Sequence, residues 1–318
     1  MANAARGAEV LDMARASRDL QRIAEEQIDF EKYEFREEHA RVIPAERLAE
    51  EGKKRMLLGH EQEAGLTLPW SKADGKVLIK PGKLVIWTGW SHHGKSQMAK
   101  NAMLGAINQG EKVCIASMEE EVQEVWVDMG LMACGRSDPG GQRINQWIEF
   151  CSGSLWFYDQ QGSVSSKKIK AVIRYAAEEL GITQFVVDSL MMLSVSRDDY
   201  DAQSMFVGDL KTLAKDTGCT IHLVAHLKKS DGKTGEEAPG RIHDIAGGHE
   251  IASKADYVFN VWRDKAKKVA GNPDCILGVE KQRGRVNWIG RLGLNYHEQS
   301  RQYTEGAEAH DFFGPVAF

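Results

Sequence analysis

The stretch VIWTGWSHHGKSQMAKNAM, from Val85 to Met103, decides how the rest of the chain is interpreted. It begins with apolar residues typical of a buried strand, crosses a polar turn and continues into a helical pattern. The turn from Gly89 to Ser96 fits the pattern G-x-x-x-x-G-K-[ST]. In this pattern, the backbone of a loop between a strand and a helix binds phosphates. The sequence therefore predicts a site for a nucleoside triphosphate in this turn.

Each part of the turn has an expected role. Gly89 and Gly94 allow several backbone N–H groups to converge on one point, and the following helix adds the positive end of its dipole. Lys95 is expected to reach the β- and γ-phosphates of ATP or another NTP, and the Ser96 hydroxyl to bind Mg²⁺. We interpret the two histidines as residues that line the turn rather than metal ligands. The expected nucleotide-binding residues are Gly89, Trp90, Ser91, His92, His93, Gly94, Lys95, Ser96 and Gln97.

The composition is that of an ordinary globular protein, with 318 residues, 42% hydrophobic, 27% charged and a net charge of −5. Five scattered cysteines without a Cys-x-x-Cys pattern favour reduced thiols in a cytoplasmic compartment over a disulfide framework or a zinc site. No run approaches the ~18 apolar residues of a membrane span, so no membrane partner is expected. Because the chain is mildly acidic, any contact with nucleic acid must come from a local patch or an assembled channel.

Alternating segments predict the fold class. Amphipathic stretches lie between short apolar runs, which favours an α/β fold with a mainly parallel central sheet flanked by helices. The last strands, joined by short connections, are expected to be antiparallel additions at one edge. The apolar runs are 84–88, 113–116, 185–187, 221–225, 258–261 and 276–279, and the amphipathic stretches include 96–108, 167–180 and 203–216.

We expect the chain to divide into a helical N-terminal segment, 1–64, and a larger domain, 65–318. In the first segment an apolar stripe with helical spacing is followed by a second polar helix that starts at Pro44 and ends near Gly59. Such helices have little core of their own, so we expect the segment to dock on another subunit. The stripe consists of Met13, Ala16, Leu20, Ile23 and Gln27.

Three strand ends carry side chains that suit phosphate chemistry. Asp188 ends QFVVD, where a carboxylate can hold Mg²⁺ or, alternatively, cap the next turn. Glu119 follows KVCIASM and can polarise a water, whereas Glu120 and Glu121 fit a solvated first helical turn. His226 ends CTIHLVAH, where it can sense a γ-phosphate, although a structural role is the simpler interpretation on the residues alone. His222, inside the same strand, is interpreted as a packed core residue.

A basic cluster occurs in GVEKQRGRVNWIG. Lys281, Arg283 and Arg285 can form a solvated edge, or one arginine can act in a neighbouring active site, where it accelerates hydrolysis by roughly 10³–10⁵-fold. The spacing alone does not decide between these two interpretations.

Taken in order, six motifs resemble the RecA-type motor domain of DnaB-type replicative helicases, a group that includes phage primase-helicases, mitochondrial Twinkle and plasmid-encoded hexameric helicases. The similarity spans 65–305. The motifs are GWSHHGKS, SMEE, FVVDSLMML, LVAHLKK, DIAGGHEIASKADYVFNVWRD and GVEKQRGRVNWIGRLGLNY.

This resemblance implies a RecA-like P-loop NTPase and assigns roles by position. It implies that Lys95 and Ser96 bind phosphate and Mg²⁺, and that Glu119 is the catalytic base. Asp188 matches the strand-end acid and His226 the γ-phosphate sensor. The remaining two matches, Arg283 as an arginine finger and Lys281 as its neighbouring lysine, would act across a subunit interface, typically in a hexameric ring.

Two segments match the family's loops that hold single-stranded DNA, 194–203 and 228–250. Backbone N–H groups and a few cations can hold phosphates without reading bases. Bacterial relatives carry an arginine where this chain has Ala246, so the contacting residues differ in part. The candidates are Arg197, Lys228, Lys229, Lys233, Arg241, Gly247 and Gly248.

The leading hypothesis is an ATP-driven replicative DNA helicase that acts as a ring and moves 5′ to 3′. The segment 1–64 is too short for the helical N-terminal domain or the primase module of relatives, which suggests a stand-alone motor of phage, prophage or plasmid origin, with a primase or loader as a further partner. Two alternatives stay open. One is a RecA-like ATPase that does not unwind, such as a recombination mediator, a clock-type ATPase or a loader, and the other is a small-molecule kinase.

Overall fold

The computed structural model describes residues 22–23, 25–34, 44–57, 64–160, 162, 164–192, 199–227, 238–240, 242–245, 248–264, 272–284 and 286–314. The strands are β1 (Arg22–Ile23), β2 (Leu84–Thr88), β3 (Val113–Ser117), β4 (Leu155–Asp159), β5 (Gln184–Asp188), β6 (Thr220–Val224), β7 (Tyr257–Arg263), β8 (Cys275–Gln282), β9 (Gly290–His297) and β10 (Gln302–Thr304). The helices are α1 (Phe30–Glu34), α2 (Ala49–Leu57), α3 (Lys95–Asn108), α4 (Val122–Cys134), α5 (Gly140–Cys151), α6 (Ser166–Glu179), α7 (Tyr200–Thr217) and α8 (Gly248–Lys254).

These strands form one sheet in the order β1-β4-β3-β5-β6-β2-β7-β8-β9-β10. The strands from β1 to β7 in this order pair in parallel, and β8, β9 and β10 continue the sheet as antiparallel strands. The predicted fold class is therefore confirmed, including the antiparallel additions at one edge. The predicted strand at 84–88 has the predicted bounds, and the other five runs differ from theirs by a few residues at either end.

Alternate residues of the central strands enter two hydrophobic cores, because successive side chains of a strand point to opposite faces. Val85 and Trp87 of β2 pack with α3, α4 and α5 on one face. Leu84 and Ile86 pack with α6, α7 and α8 on the other. This double burial explains why β2 is apolar throughout and why its carboxyl end is held in place by both layers.

Several elements were not predicted from the sequence, among them β4, α4 and α5. Strand β4 is short and aromatic, LWFYD, and pairs with β3. Helix α4 is largely apolar, with buried residues on several sides, so its amphipathic pattern is weak. It is covered by α5, where Trp147 contacts Trp126 with ring centroids 5.8 Å apart.

The N-terminal segment differs in part from its prediction. Ile23 and Gln27 were expected on one helix, but Ile23 lies in β1 and Gln27 in a 3₁₀ turn. The outer edge of β4 offers unpaired backbone groups, and β1 satisfies them while Ile23 is buried. The helix expected after Pro44 is present as a 3₁₀ turn followed by α2. The positions Met13, Ala16, Leu20 and Gly59 lie outside the described residues.

Helix α1 packs against α6 of the same chain. The rings of Tyr33 and Tyr175 meet edge to face at 5.8 Å, and Lys32 Nζ donates to Glu179 Oε1 at 2.9 Å.

Among the described residues, no helix combines the length and the hydropathy that a bilayer span requires.

Candidate nucleotide site and nucleic-acid interface

The phosphate turn connects β2 to α3, as the sequence predicts. Gly94 has φ 85° and Gly89 has φ 150°, both in the region that favours glycine. A side chain at Gly89 would collide with the carbonyl oxygen of Val261, and one at Gly94 with the Tyr303 hydroxyl. Both glycines are therefore required by backbone conformation and by the close approach of β7 and β10.

Lys95, Ser96 and Asp188 lie together at this turn. Lys95 is only 5% exposed, and its Nζ donates to the Trp90 carbonyl at 3.1 Å. Burial lowers the pKa of Lys95 to about 8, and the carboxylates of Asp188 and Glu119 oppose that shift. Burial raises the pKa of Asp188 to about 6, although the Ser96 hydroxyl donates a hydrogen bond to it. The predicted phosphate ligand and the two predicted Mg²⁺ ligands are thus neighbours.

Glu119 and His226 lie on the other side of the turn. Glu119 Oε1 accepts a hydrogen bond from the Ser189 hydroxyl, and His226 Nε2 lies 3.8 Å from the same oxygen. His226, followed by Ser189, lowers the pKa of Glu119 to about 2. Glu119 is therefore an ionised acceptor at neutral pH, beside the residue expected to sense the γ-phosphate.

Lys95, Ser96, Glu119 and His226 line one cleft of about 490 Å³, and Asp188 is buried beside Ser96. Its wall includes Ser91, His92, Gly94, Lys95, Ser96, Gln97, Glu119 and His226 of the predicted set. Of the other predicted nucleotide-binding residues, His93 is buried and its Nδ1 accepts a hydrogen bond from the Arg263 backbone N–H at 3.1 Å. Trp90 is also buried, and its indole N–H donates to the Ala238 carbonyl at 3.0 Å.

The far wall of the cleft contains residues that the sequence analysis missed: Arg263, Tyr296, Arg301 and Tyr303. The Arg263 guanidinium stacks on the Tyr296 ring at 3.8 Å from its centroid. Sheet topology gives the signal that could have found them. Because β7 is parallel to β2 and β9 runs in the same direction as β7, the carboxyl ends of these strands reach the edge that carries the phosphate turn.

A buried ionic network supports the cleft. Lys100 Nζ lies 2.7 Å from Glu120 Oε2 and 3.5 Å from Asp128 Oδ2, and Arg301 pairs with the second oxygen of Asp128. Gln97 donates to the Arg301 carbonyl at 3.0 Å. Glu120, which the sequence placed in a solvated helical turn, instead pairs with a lysine that is 5% exposed. The network joins α3, α4 and the β9–β10 turn.

Lys281 and Arg283 lie at the opposite edge of the sheet. Tyr257 pairs with Val85 on one side and with Gln282 on the other, so Arg283 lies beyond the amino end of β2. At ~3.3 Å per residue, β2 places this edge roughly 15 Å from the start of the phosphate turn. Within one chain, the structure therefore does not bring these two cations to the cleft.

Both cations contact the end of α8. Lys281 Nζ donates to the carbonyls of Ala252 and Ser253, each at 2.8 Å, and Arg283 donates to Ser253 at 3.0 Å. Burial, followed by the charges of Arg283 and Lys211, lowers the pKa of Lys281 to about 8. The Arg283 side chain remains half exposed, and its guanidinium lies 3.9 Å from Asp256 Oδ1.

His222 is the packed core residue that the sequence indicates. Its Nδ1 accepts from the Trp87 indole at 3.1 Å, and its Nε2 lies 2.9 Å from Gln184 Oε1. Burial lowers the pKa of His222 to about 3, so the ring is neutral.

Most predicted DNA-contacting residues lie outside the described part of the chain: Arg197, Lys228, Lys229, Lys233, Arg241 and Gly247. Gly248 is described and is the first residue of α8. The described residues that precede these two segments follow the carboxyl ends of β5 and β6, at the edge of the sheet that also carries the phosphate turn.

A strand, a glycine-containing phosphate turn and a strand-end carboxylate on a mainly parallel sheet define a P-loop nucleoside triphosphatase. The sequence profile of the DnaB-like helicase C terminal domain matches residues 75–305. The chain belongs to this family.

Two curated relatives show how far the similarity extends. The Twinkle homolog protein, chloroplastic/mitochondrial, of Arabidopsis thaliana is 26% identical over 272 residues, which cover 77% of this chain and 37% of the relative. The replicative DNA helicase DnaB of Helicobacter pylori is 22% identical over 240 residues, which cover 70% of this chain and 48% of the relative. The chain thus spans less than half the length of these relatives.

Solved structures confirm the fold. One of them, an ATPase domain, has a TM-score of 0.68 at 13% identity, over 82% of this chain and 98% of that chain. A DnaB-like replicative helicase, described together with its interactions with primase, has a TM-score of 0.66 at 14% identity, over 84% of this chain and 67% of that chain.

Proposed function

We propose that this chain is the ATP-hydrolysing motor of a ring-shaped replicative helicase that moves along single-stranded DNA, with 5′-to-3′ polarity. The family supports helicase function. The observation that carries the proposal is the separation of two half-sites: a phosphate-binding cleft at one edge of the sheet and a pair of cations at the other. Assembly in a ring, with six subunits as in the family, brings the cations of one subunit to the cleft of the next.

In the cleft, Lys95 binds the β- and γ-phosphates, and the converging N–H groups of the turn orient them. Ser96 and Asp188 fit Mg²⁺, because both offer the hard oxygen donors that this ion prefers. Burial raises the pKa of Asp188, and a bound Mg²⁺ would favour its ionised form. The bound ion would neutralise charge on the phosphates. Arg263 and Tyr296 offer flat faces on which a nucleobase can stack.

Glu119 orients and deprotonates the attacking water. His226 Nε2 lies 3.8 Å from Glu119 Oε1, and His226 precedes the segment 228–237 by two residues in the sequence, so it can relate the γ-phosphate to that segment. Lys281 and Arg283 of the next subunit stabilise the negative charge that develops on the phosphates.

Single-stranded DNA is held by backbone N–H groups and cations of the segments 194–203 and 228–250, in a channel formed by assembly. The N-terminal segment contributes to that assembly. Leu48, Met56 and Leu57 are 56%, 82% and 78% exposed on and before α2, and such an apolar face suits packing on the adjacent subunit.

The test is strand displacement on forked DNA with one labelled strand, measured with ATP and Mg²⁺ in parallel with ATP hydrolysis. We expect hydrolysis to rise when single-stranded DNA is added, and unwinding only of forks with a 5′ tail on the strand being tracked. Hydrolysis stimulated by DNA without displacement on any fork would favour a RecA-like ATPase that does not unwind. A primase or loader partner is tested by its effect on the same displacement rate.

A further inference from the structure

A buried carboxylate lies among the cations at the amino edge of the sheet. Asp256, between α8 and β7, has a side chain that is 5% exposed, and its Oδ1 lies 3.2 Å from Lys211 Nζ and 3.9 Å from Arg283 Nη1. Burial is the main cause of the lowered pKa of Lys281, and the charge of Asp256 opposes it. One carboxylate therefore acts on three cations, and these four residues are called the amino-edge cluster.

Asp256 is itself fixed to the first residue of β2. Its backbone N–H donates to the Leu84 carbonyl at 2.9 Å, and its Oδ2 accepts the Leu84 N–H at 3.2 Å. Leu84 is fully buried, so the strand cannot yield to a turn of the carboxylate. The second oxygen, Oδ1, is thereby held in the direction of Lys211 and Arg283.

Arg283 is attached to this residue without being enclosed by it. Its backbone N–H donates to the Asp256 carbonyl at 2.9 Å, and its Nη2 donates to the Ser253 carbonyl at 3.0 Å. The 3.9 Å between Nη1 and Oδ1 is longer than a hydrogen bond, and the side chain is half exposed. The carboxylate thus attracts the guanidinium and leaves its outer face accessible.

Lys211 of α7 shares the same carboxylate oxygen. Its Nζ donates to Asp256 Oδ1 and also to the Lys254 carbonyl at 2.7 Å. Because the nearer lysine offsets part of the negative charge, Asp256 attracts Arg283 less strongly than an unshared carboxylate would.

We propose that Asp256 is a positioning residue for ATP hydrolysis in the next subunit, because it sets the direction in which Arg283 is presented, while Lys211 limits how tightly Arg283 is held. The inference rests on the proposed function, in which Arg283 acts across a subunit interface. Asp256 lies beside the first residue of β2 and the phosphate turn follows the last, so Asp256 does not act in the cleft of its own chain.

Asp256→Asn is the first variant. Its amide oxygen can still accept the Leu84 N–H, whereas an NH₂ group replaces the oxygen that faces Lys211 and Arg283. Steady-state phosphate release by the assembled protein should show kcat lowered by about 10–10²-fold, since a displacement of about 1 Å can cost roughly 10²-fold. The KM for ATP and the Kd of a non-hydrolysable analogue should stay near those of the parent, because the cleft is unchanged.

Asp209→Asn is the matched control. It makes the same chemical change at an exposed position of α7, where Asp209 pairs with Lys170, and it should keep the parent kcat.

Mixed assemblies decide in which subunit Asp256 acts. Lys95→Ala subunits offer an intact Arg283, so Asp256→Asn subunits mixed with them should regain part of the parent hydrolysis in their own intact clefts. Mixed with Arg283→Ala subunits they should regain none, because neither variant presents a positioned arginine. A residue that acts in its own cleft gives the reverse pattern, which would overturn the inference.

Lys211→Met is the second variant and decides the question if Asp256→Asn does not fold. It removes the competing cation, so Asp256 draws Arg283 inward. We expect a lowered kcat with an unchanged Kd for the analogue, and the same pattern in the two mixtures.

The outcomes are distinct. Parent-like hydrolysis by Arg283→Ala overturns the shared site and this inference with it. A loss in Arg283→Ala together with a parent-like kcat in Asp256→Asn, or in Lys211→Met where that variant decides, overturns this inference alone. A lowered kcat that is regained only with Lys95→Ala subunits, and is absent in Asp209→Asn, establishes it.

Discussion

The two edges of the central sheet differ in what they need to be complete. At the carboxyl edge, Lys95, Glu119 and His226 line one cleft, Asp188 is buried beside Ser96, and an ionic network around Lys100 supports them. At the amino edge, Lys281 and Arg283 donate to carbonyls at the end of α8, and the Arg283 side chain remains half exposed. In the proposed function, the first edge holds the triphosphate and the second supplies its cations to a neighbouring subunit.

If the proposed function holds, nucleotide binding and hydrolysis have separate structural requirements. Residues of the cleft then act within one chain, whereas Lys281 and Arg283 contribute only when two chains meet.

Replacement of the outward-facing guanidinium should have the largest effect. Arg283→Ala is expected to lower ATP hydrolysis by the assembled protein by about 10³–10⁵-fold, because developing phosphate charge loses its partner. The measurement is steady-state phosphate release, with Arg291→Ala on the exposed face of β9 as the control.

Mixing decides whether the arginine acts between chains. Subunits with Arg283→Ala keep an intact Lys95, and subunits with Lys95→Ala keep an intact Arg283. Equimolar mixtures of the two inactive variants should regain part of the parent activity at interfaces that combine the intact halves. Parent-like hydrolysis by Arg283→Ala alone would contradict the shared site.

The next largest effect is expected from replacement of Glu119, the proposed catalytic base in the cleft. Glu119→Gln should lower kcat by about 10²–10⁴-fold while the affinity for a non-hydrolysable analogue stays near that of the parent. Glu121→Gln is the control, because Glu121 is exposed at the start of α4 and, within the described residues, its side chain caps no N–H of that helix. An equal loss in both variants would exclude a specific role for Glu119.

Stability measurements compare the ionic network beside the cleft with an exposed ion pair elsewhere on the protein. Lys100→Met removes one member of the buried network and should lower the free energy of unfolding by about 3–5 kcal/mol, because Asp128 and Glu120 lose a buried partner. Lys170→Met, which breaks an exposed pair with Asp209, should cost less than about 1 kcal/mol. Urea unfolding of both variants tests this, and equal losses would show that the network does not stabilise the cleft.

The smallest expected effect is a dependence of the free energy of unfolding on pH. It comes from His222, which lies in the core between the two edges of the sheet. The folded pKa of His222 is about 3 against an ordinary value of 6.5, so between these pH values the unfolded chain binds a proton that the folded chain does not. Stability attributable to His222 is therefore complete above pH 6.5 and falls as the pH decreases, by about 1.4 kcal/mol per pH unit. His222→Gln, which keeps a donor and an acceptor, should flatten this slope in unfolding experiments from about pH 7 to about pH 4. An unchanged slope would contradict the assignment.

Much of the fold and the core of the site could be predicted because the signals are local. The apolar run before Gly89 and the helical stretch after it are each continuous in sequence, and Asp188 and Glu119 lie at or just after the ends of strands whose carboxyl ends share an edge. The stretch 96–108, predicted to be amphipathic, is buried on most of its sides because it packs between the sheet and α4. The predicted roles of these residues remain predictions, but their proximity is observed.

Other parts depend on pairing that no local pattern encodes. Arg263 and Arg301 reach the cleft only because of the order and direction of β7, β8 and β9. Ile23 joins a strand because the edge of β4 is nearby, which helical spacing along the chain cannot reveal. The attachment of Trp90 to Ala238 likewise joins residues 148 positions apart.

The position of β2 between β6 and β7 has a consequence for synthesis. Its neighbours in the sheet are encoded more than a hundred residues downstream, at Thr220–Val224 and Tyr257–Arg263. Because translation adds roughly 5–20 residues per second, the apolar strand β2 is exposed without its two neighbouring strands for on the order of ten seconds. Nucleotide cannot stabilise this strand earlier, because Tyr296, Arg301 and Tyr303 of the β9–β10 hairpin also line the cleft, so chaperones are expected to cover the strand until that hairpin has been made.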